Sequence, residues 1–83
     1  MPTPDLIERV RSLRDELGET QPDPRIDELK AQADKVLAEP DHAPHYTSLA
    51  DRLRFHYTGF KNDHPALATS MQSLVDTLGK AGL

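Results

Sequence analysis

The sequence predicts an all-α protein, a small bundle of three to four helices in a single domain covering residues 1–83. Apolar residues recur at helical spacing in four segments, no segment alternates as a strand would, and Pro or Gly separates the segments. We expect helices at about residues 4–17, 24–39, 48–60 and 65–79. The first two form an αα-hairpin, and the helices pack as in a coiled coil.

The first two helices carry the same start signal. Thr3 precedes Pro4 and Asp23 precedes Pro24. Thr and Asp side chains accept hydrogen bonds from the free N–H groups of a first helical turn, and Pro loses nothing at the first helical position. Both helices are therefore expected to begin at these prolines.

The first and last helices have narrow apolar stripes of equal spacing. An 83-residue chain buries only about 60% of its unfolded surface, so we expect these stripes to pack against a second copy or another protein. Phe55 and Tyr57 diverge on the third helix, and we expect one of them, Tyr57 as the candidate, to face a partner. The predicted interface residues are Leu6, Val10, Leu13, Leu17, Tyr57, Leu67, Met71, Leu74 and Leu78.

Residues 40–45 are expected to form a linker. Pro40 and Pro44 both lie in it and exclude a regular helix through the segment. Ser48 and Asp51 have the spacing of a capping box, with Asp in place of the usual Glu. The third helix is therefore predicted to begin near Ser48.

The stretch FKNDHPAL, residues 60–67, is predicted to join the third and fourth helices. Pro65 suits a first helical position, Asp63 or His64 suits its cap, and Phe60 packs before the joint. Two shapes stay open at this point, a sharp turn at Pro65 or one kinked helix about 50 Å long. The kinked helix would require a dimer or higher oligomer.

Asp63 and His64 can also be considered as a carboxylate and a general base. Adjacent residues on a helix point in different directions and rarely form an orienting pair. The chain has no Cys and no Gly-x-Ser-x-Gly nucleophile elbow. We therefore predict no catalytic residue, no enzymatic activity and no cofactor.

All four histidines and all four aromatic residues fall between His42 and His64. This concentration supports an alternative function, a small-ligand or metal sensor whose imidazole and carboxylate groups bind zinc or nickel. His42 and His45 lie in the expected linker, and eight residues separate His56 from His64. Because this spacing does not favour a preformed site, we assign no metal ligands.

The formal charge of −4 repels phosphate, and the chain has no basic stripe for nucleic acid or an anionic membrane. No segment approaches the length of a membrane span, and no signal peptide precedes the first helix, so a cytoplasmic location is expected. The predicted function is that of a non-catalytic helical protein that self-associates, with a dimer favoured, or binds another protein through its apolar stripes.

The element Phe60-x-x-x-His64-Pro65-x-Leu67, followed by an aliphatic helix, resembles a short bacterial protein family catalogued as a domain of unknown function. The helix over residues 10–17 is similar to that family's Leu-x-x-Leu-x-x-Glu-Leu pattern. Family members usually carry an acidic residue after the Phe, where this chain has Lys61, and often end in Met-Gly-Ile, where it has Ala-Gly-Leu. The resemblance implies no activity and no site residues.

Overall fold

The computed structural model describes residues 3–83, which form four α-helices and no strand. The helices are α1 (Pro4–Glu19), α2 (Pro24–Ala38), α3 (Ala43–Asp63) and α4 (Pro65–Lys80). Each packs against two others, α1 and α3 both contacting α2 and α4, so the four surround one core. The predicted all-α bundle is confirmed. None of the helices in the described range is long and apolar enough to cross a membrane.

The beginnings of α1 and α2 follow from their capping residues, as predicted. The N–H of Leu6 donates to Oγ1 of Thr3 at 3.2 Å, and the N–H of Arg25 donates to Oδ1 of Asp23 at 2.8 Å. A proline in the first turn of each helix has no intrahelical N–H bond to lose. These local signals place both helix starts.

α3 begins at Ala43, five residues before its predicted start at Ser48. The prediction was wrong because Pro44 lies in the first turn, where proline is compatible with a helix. The additional turns bury Tyr46, whose hydroxyl donates to the carbonyl of Pro40 at 2.7 Å. Ser48 therefore lies inside α3, and the segment before the helix is shorter than expected.

A single residue, His64, separates α3 from α4, with φ −143° and ψ 71°. Its N–H donates to the carbonyl of Phe60 at 2.7 Å, and its own carbonyl accepts from the N–H of Ala68 at 2.9 Å. The longest dimension of the bundle is 32 Å, too short for the kinked helix of about 50 Å. The chain therefore turns sharply before Pro65, and α4 folds back along α3.

The apolar stripes of all four helices meet in the core. Eight of the predicted interface residues lie there, each at most 3% exposed, because the turn at His64 returns α4 to α1: Leu6, Val10, Leu13, Leu17, Leu67, Met71, Leu74 and Leu78. The ninth, Tyr57, is half-buried against the same core. A contact with a second molecule through the eight aliphatic residues would require the bundle to open.

Ser48→Pro tests the early start of α3. Proline inside the helix removes the hydrogen bond to the carbonyl of Pro44 and clashes with that turn, so we expect a loss of about 3 kcal/mol or more in the free energy of unfolding. Ala43→Pro, at the first helical position, should cost less than about 1 kcal/mol. Urea denaturation followed by circular dichroism measures the free energy of unfolding of both variants. A loss for Ser48→Pro as small as that for Ala43→Pro would instead place the start of α3 near Ser48.

Candidate functional site

Arg25 of α2 lies against the C-terminal end of α3. Its guanidinium carbon stands 4.5 Å from the ring centre of Phe60, which is fully buried. Its Nη2 donates to Oδ2 of Asp23 at 2.7 Å and to Oδ2 of Asp63 at 3.0 Å. We call Asp23, Arg25, Phe60 and Asp63 the arginine clasp. It ties the beginning of α2 to the end of α3, next to the chain turn.

The residues of the predicted helix joint therefore have partly different roles. Asp63 accepts a hydrogen bond from Arg25 and is the last residue of α3, not a cap. His64 is the cap of both α3 and α4, but its side chain makes no capping hydrogen bond. Its ring lies 5.7 Å from that of Phe60. Pro65 occupies the first position of α4, as predicted.

Glu28 of α2 bridges two side chains of α3. One of its carboxylate oxygens lies 2.8 Å from Nε2 of His56, and the other forms an ion pair with Nε of Arg52. His56 is buried beneath this contact. The guanidinium of Arg52 in turn stacks over the ring of Phe55, 4.5 Å from its centre. Through Glu28, α2 thus positions the guanidinium of Arg52 that stacks on the ring of Phe55.

Phe55 is 68% exposed, the one large hydrophobic side chain exposed to this degree within residues 3–83. Its ring also meets the edge of the His56 ring, with centres 5.0 Å apart. Asp51 and Thr58, one turn before and after it, are exposed on the same face. We call Asp51, Arg52, Phe55 and Thr58 the Phe55 patch. It is the candidate functional site.

The patch changes the assignment of the two diverging aromatic residues of α3. The sequence named Tyr57 as the side chain facing a partner, but Tyr57 packs partly on the core and Phe55 points outward. The contact of Arg52 with Phe55 has the i,i+3 spacing of neighbours on a helix, but its contact with Glu28, on a different helix, could not be expected from sequence spacing. A lone Phe among polar positions on a helix face was the available signal.

The histidines of the proposed sensor region lie at separate places. His42 and His45 stand at the beginning of α3, with ring centres 4.4 Å apart, and His45 contacts Oε1 of Glu39 at 3.1 Å. His56 contacts α2, and His64 occupies the turn before α4. In the part of the chain that the structure describes, no group of three or more His, Asp or Glu side chains is placed to hold a metal ion.

The fold defines the class of protein as a small four-helix bundle domain. The chain belongs to the family described as domain of unknown function (DUF4404), whose model matches residues 6–83. The resemblance carried by the Phe60-x-x-x-His64-Pro65 element is thereby confirmed. A search of curated proteins and a search of solved structures each gave no match.

Ion pairs lower the pKa of two carboxyl groups at these contacts. The side chain of Arg25, followed by its N–H, lowers the pKa of Asp23 to about 2. The guanidinium of Arg52, followed by His56, lowers the pKa of Glu28. A lowered pKa in the folded state means that the ionised carboxylate stabilises the fold. The contact of Glu28 with α3, and the pairing within the beginning of α2 that holds Arg25 in position, therefore depend on ionised acids.

Acidification should weaken the bundle through these two carboxylates. Their stabilisation is complete above the unfolded-state pKa values, 3.8 for Asp and 4.5 for Glu, and is lost as the pH falls through the lower folded-state values. We expect the urea midpoint to be constant from about pH 7 to 5 and to fall from about pH 4.5 to 2. Asp23→Asn, which keeps a capping oxygen, should reduce this fall. An unchanged slope in that variant would contradict the role of Asp23.

Gly59 leaves space for the arginine clasp. A Cβ at this position would stand 2.8 Å from Nη1 of Arg25, so alanine must displace the guanidinium from Phe60 or from its carboxylate partners. Replacing an interior helical Gly by Ala normally stabilises by about 1 kcal/mol. We expect that gain to be absent in the wild-type background and present in Arg25→Ala. Urea denaturation of the wild type, Gly59→Ala, Arg25→Ala and the double variant measures this gain in the free energy of unfolding. A gain of about 1 kcal/mol from Gly59→Ala in the wild-type background would contradict the close approach of Arg25 to position 59.

Proposed function

We propose that this chain is a non-catalytic helical domain that self-associates as a dimer through the Phe55 patch. The observation that carries the proposal is the exposed ring of Phe55, stacked 4.5 Å from the guanidinium of Arg52. Aromatic and arginine side chains provide much of the binding energy in protein interfaces. Because Glu28 already holds Arg52 in place, little side-chain freedom is lost on binding.

The charges along α3 favour a second copy as the partner. Asp51 precedes Phe55 and Lys61 follows it, and both are exposed. Lys61 forms no ion pair with any residue of the range 3–83. On a helix of 3.6 residues per turn, Lys61 lies about 120° around the axis from Phe55, on the flank of α3 that also carries Asp51. A two-fold axis on this flank, beside Phe55, would set the two α3 helices antiparallel. Asp51 of each copy, which pairs with Arg54 of its own chain at 3.6 Å, would then approach Lys61 of the other. The two-fold symmetry would thus give two Asp51–Lys61 pairs of opposite charge across the interface.

Four further outward positions of α3 are compatible with such a contact. Thr47, Ser48, Thr58 and Asn62 are exposed and uncharged. Short side chains allow two helices to approach to the 8–10 Å typical of helix packing. The core stripes of α1 and α4 stay buried in this dimer. The proposed partner is thus the one that the sequence favoured, whereas the proposed surface is a different one.

Phe55→Ser tests the dimer, with Ala31→Ser on the exposed face of α2 as the matched control. In sedimentation equilibrium over a concentration series, we expect the wild-type mass to rise toward twice the 9.3 kDa of one chain. Phe55→Ser should weaken dimerisation about tenfold or more because it removes the central aromatic contact, and Ala31→Ser should leave it unchanged. A wild-type protein that stays monomeric, or a dimer equally strong in Phe55→Ser, would refute the proposal.

A further inference from the structure

Within residues 3–83, the connection between α3 and α4 is the shortest. Residues 20–23 join α1 to α2 and residues 39–42 join α2 to α3, but His64 alone joins α3 to α4. Its N–H donates to the carbonyl of Phe60 and its carbonyl accepts from the N–H of Ala68, each across four positions, as they would inside a helix. A change of the backbone angles at this one residue is therefore enough to straighten the chain.

The turn at His64 lacks a capping side chain. Thr3 and Asp23 accept hydrogen bonds from N–H groups at the beginnings of α1 and α2, whereas no capping side chain does so at the beginning of α4. If the chain straightened at His64, N–H groups of this first turn would reach the carbonyls at the end of α3 as helical partners. The straightened chain would therefore gain backbone hydrogen bonds that the turn does not make.

Pro65 opposes this straightening. As the first residue of α4 it has no intrahelical N–H bond to lose in the closed chain. Inside a continuous helix its ring would clash with the carbonyl of Lys61, and helical geometry is disfavoured for His64 because it precedes a proline. Pro65 thus favours the closed turn, and the balance between the two shapes depends on this position.

A chain opened at His64 cannot cover its own core. α3 and α4 would form a rod of up to about 57 Å at 1.5 Å per residue. The buried face of α4, which includes Leu67, Met71 and Leu78, would then leave α1 and α3 of the same chain. A second open copy presents the same surfaces of α1 and α3, so the α4 helix of one copy can restore the core of the other.

We propose that His64 is a hinge at which α4 exchanges between two copies of the chain. The exchanged dimer consists of two bundles, each completed by the α4 helix of the other copy, and it differs from two closed monomers only around the hinge. Short hinge connections favour such exchange. Phe55 lies outside the core, so the exchange does not depend on the Phe55 patch. The exchanged dimer separates only when α4 leaves the core, unlike a dimer held by a surface contact.

The test starts from Phe55→Ser, which removes the central contact of the proposed surface dimer. This protein is unfolded in urea, refolded at low and at high concentration, and separated by size-exclusion chromatography. We expect a dimer fraction after refolding at high concentration, and this fraction should persist on dilution because α4 is held in the core of the other copy. The absence of such a dimer at the highest concentration that stays in solution would overturn the proposal.

Spin labels at Thr47→Cys and Asp76→Cys identify the kind of dimer. Labelled chains are mixed with an excess of unlabelled chains before refolding, so that the measured distance lies within one chain. In the dimer fraction this distance should exceed the 32 Å length of the closed bundle and approach the span of a continuous helix, about 44 Å. In the monomer fraction it should be shorter than 32 Å. An equally short distance in the dimer fraction would show that closed chains associate, and would overturn the exchange.

A matched pair of substitutions locates the hinge. Pro65→Ala removes the ring that opposes straightening, so the dissociation constant of the exchanged dimer should fall at least about tenfold. Pro24→Ala makes the same change at the first position of α2, after a longer connection, and should alter it less than about threefold. Equal effects of the two substitutions would contradict a hinge at His64.

A glycine insertion before Pro65 gives the opposite test. It lengthens the connection between α3 and α4, so that α4 folds back on its own chain more easily, and the dimer fraction after refolding should fall. Circular dichroism confirms that the insertion variant is folded. A dimer fraction that stays equal or rises in this variant would contradict the proposal.

Discussion

The reversal of the chain at His64 is the constraint on which the closed bundle depends. Its backbone completes the last turn of α3 and opens the first turn of α4, so the two helices are joined by one residue. The arginine clasp acts beside this turn, because Phe60 and Asp63 both belong to the last turn of α3. Arg25 thereby fixes α2 to the end of α3 from which α4 starts its return to α1.

The closure determines which surfaces remain for binding. The aliphatic stripes of all four helices are used in the core. Phe55, which stacks on Arg52 beside the Glu28 contact, is the large hydrophobic side chain left exposed in residues 3–83.

The sequence predicted the features that depend on neighbouring residues. Thr3 and Asp23 cap their helices as expected, and the apolar spacing identified the residues that are buried. The same spacing does not distinguish a core stripe from an intermolecular one, so the stripes were assigned to an interface. Pro44 predicts a break before the third helix, but it lies in the first turn of α3, where proline is compatible with a helix.

Contacts between residues distant in sequence could not be predicted. Arg25 and Asp63 are separated by 38 positions, and His56 and Glu28 by 28, and no periodic pattern links them.

The distance between two spin labels tests the closure of the bundle directly. The chain has no Cys, so the labels can be attached at Thr47→Cys and Asp76→Cys, and the labelled protein is diluted with unlabelled protein. We expect it to be shorter than the 32 Å length of the bundle. A distance near 44 Å, the span of one continuous helix between these sites at about 1.5 Å per residue, would contradict the closed fold.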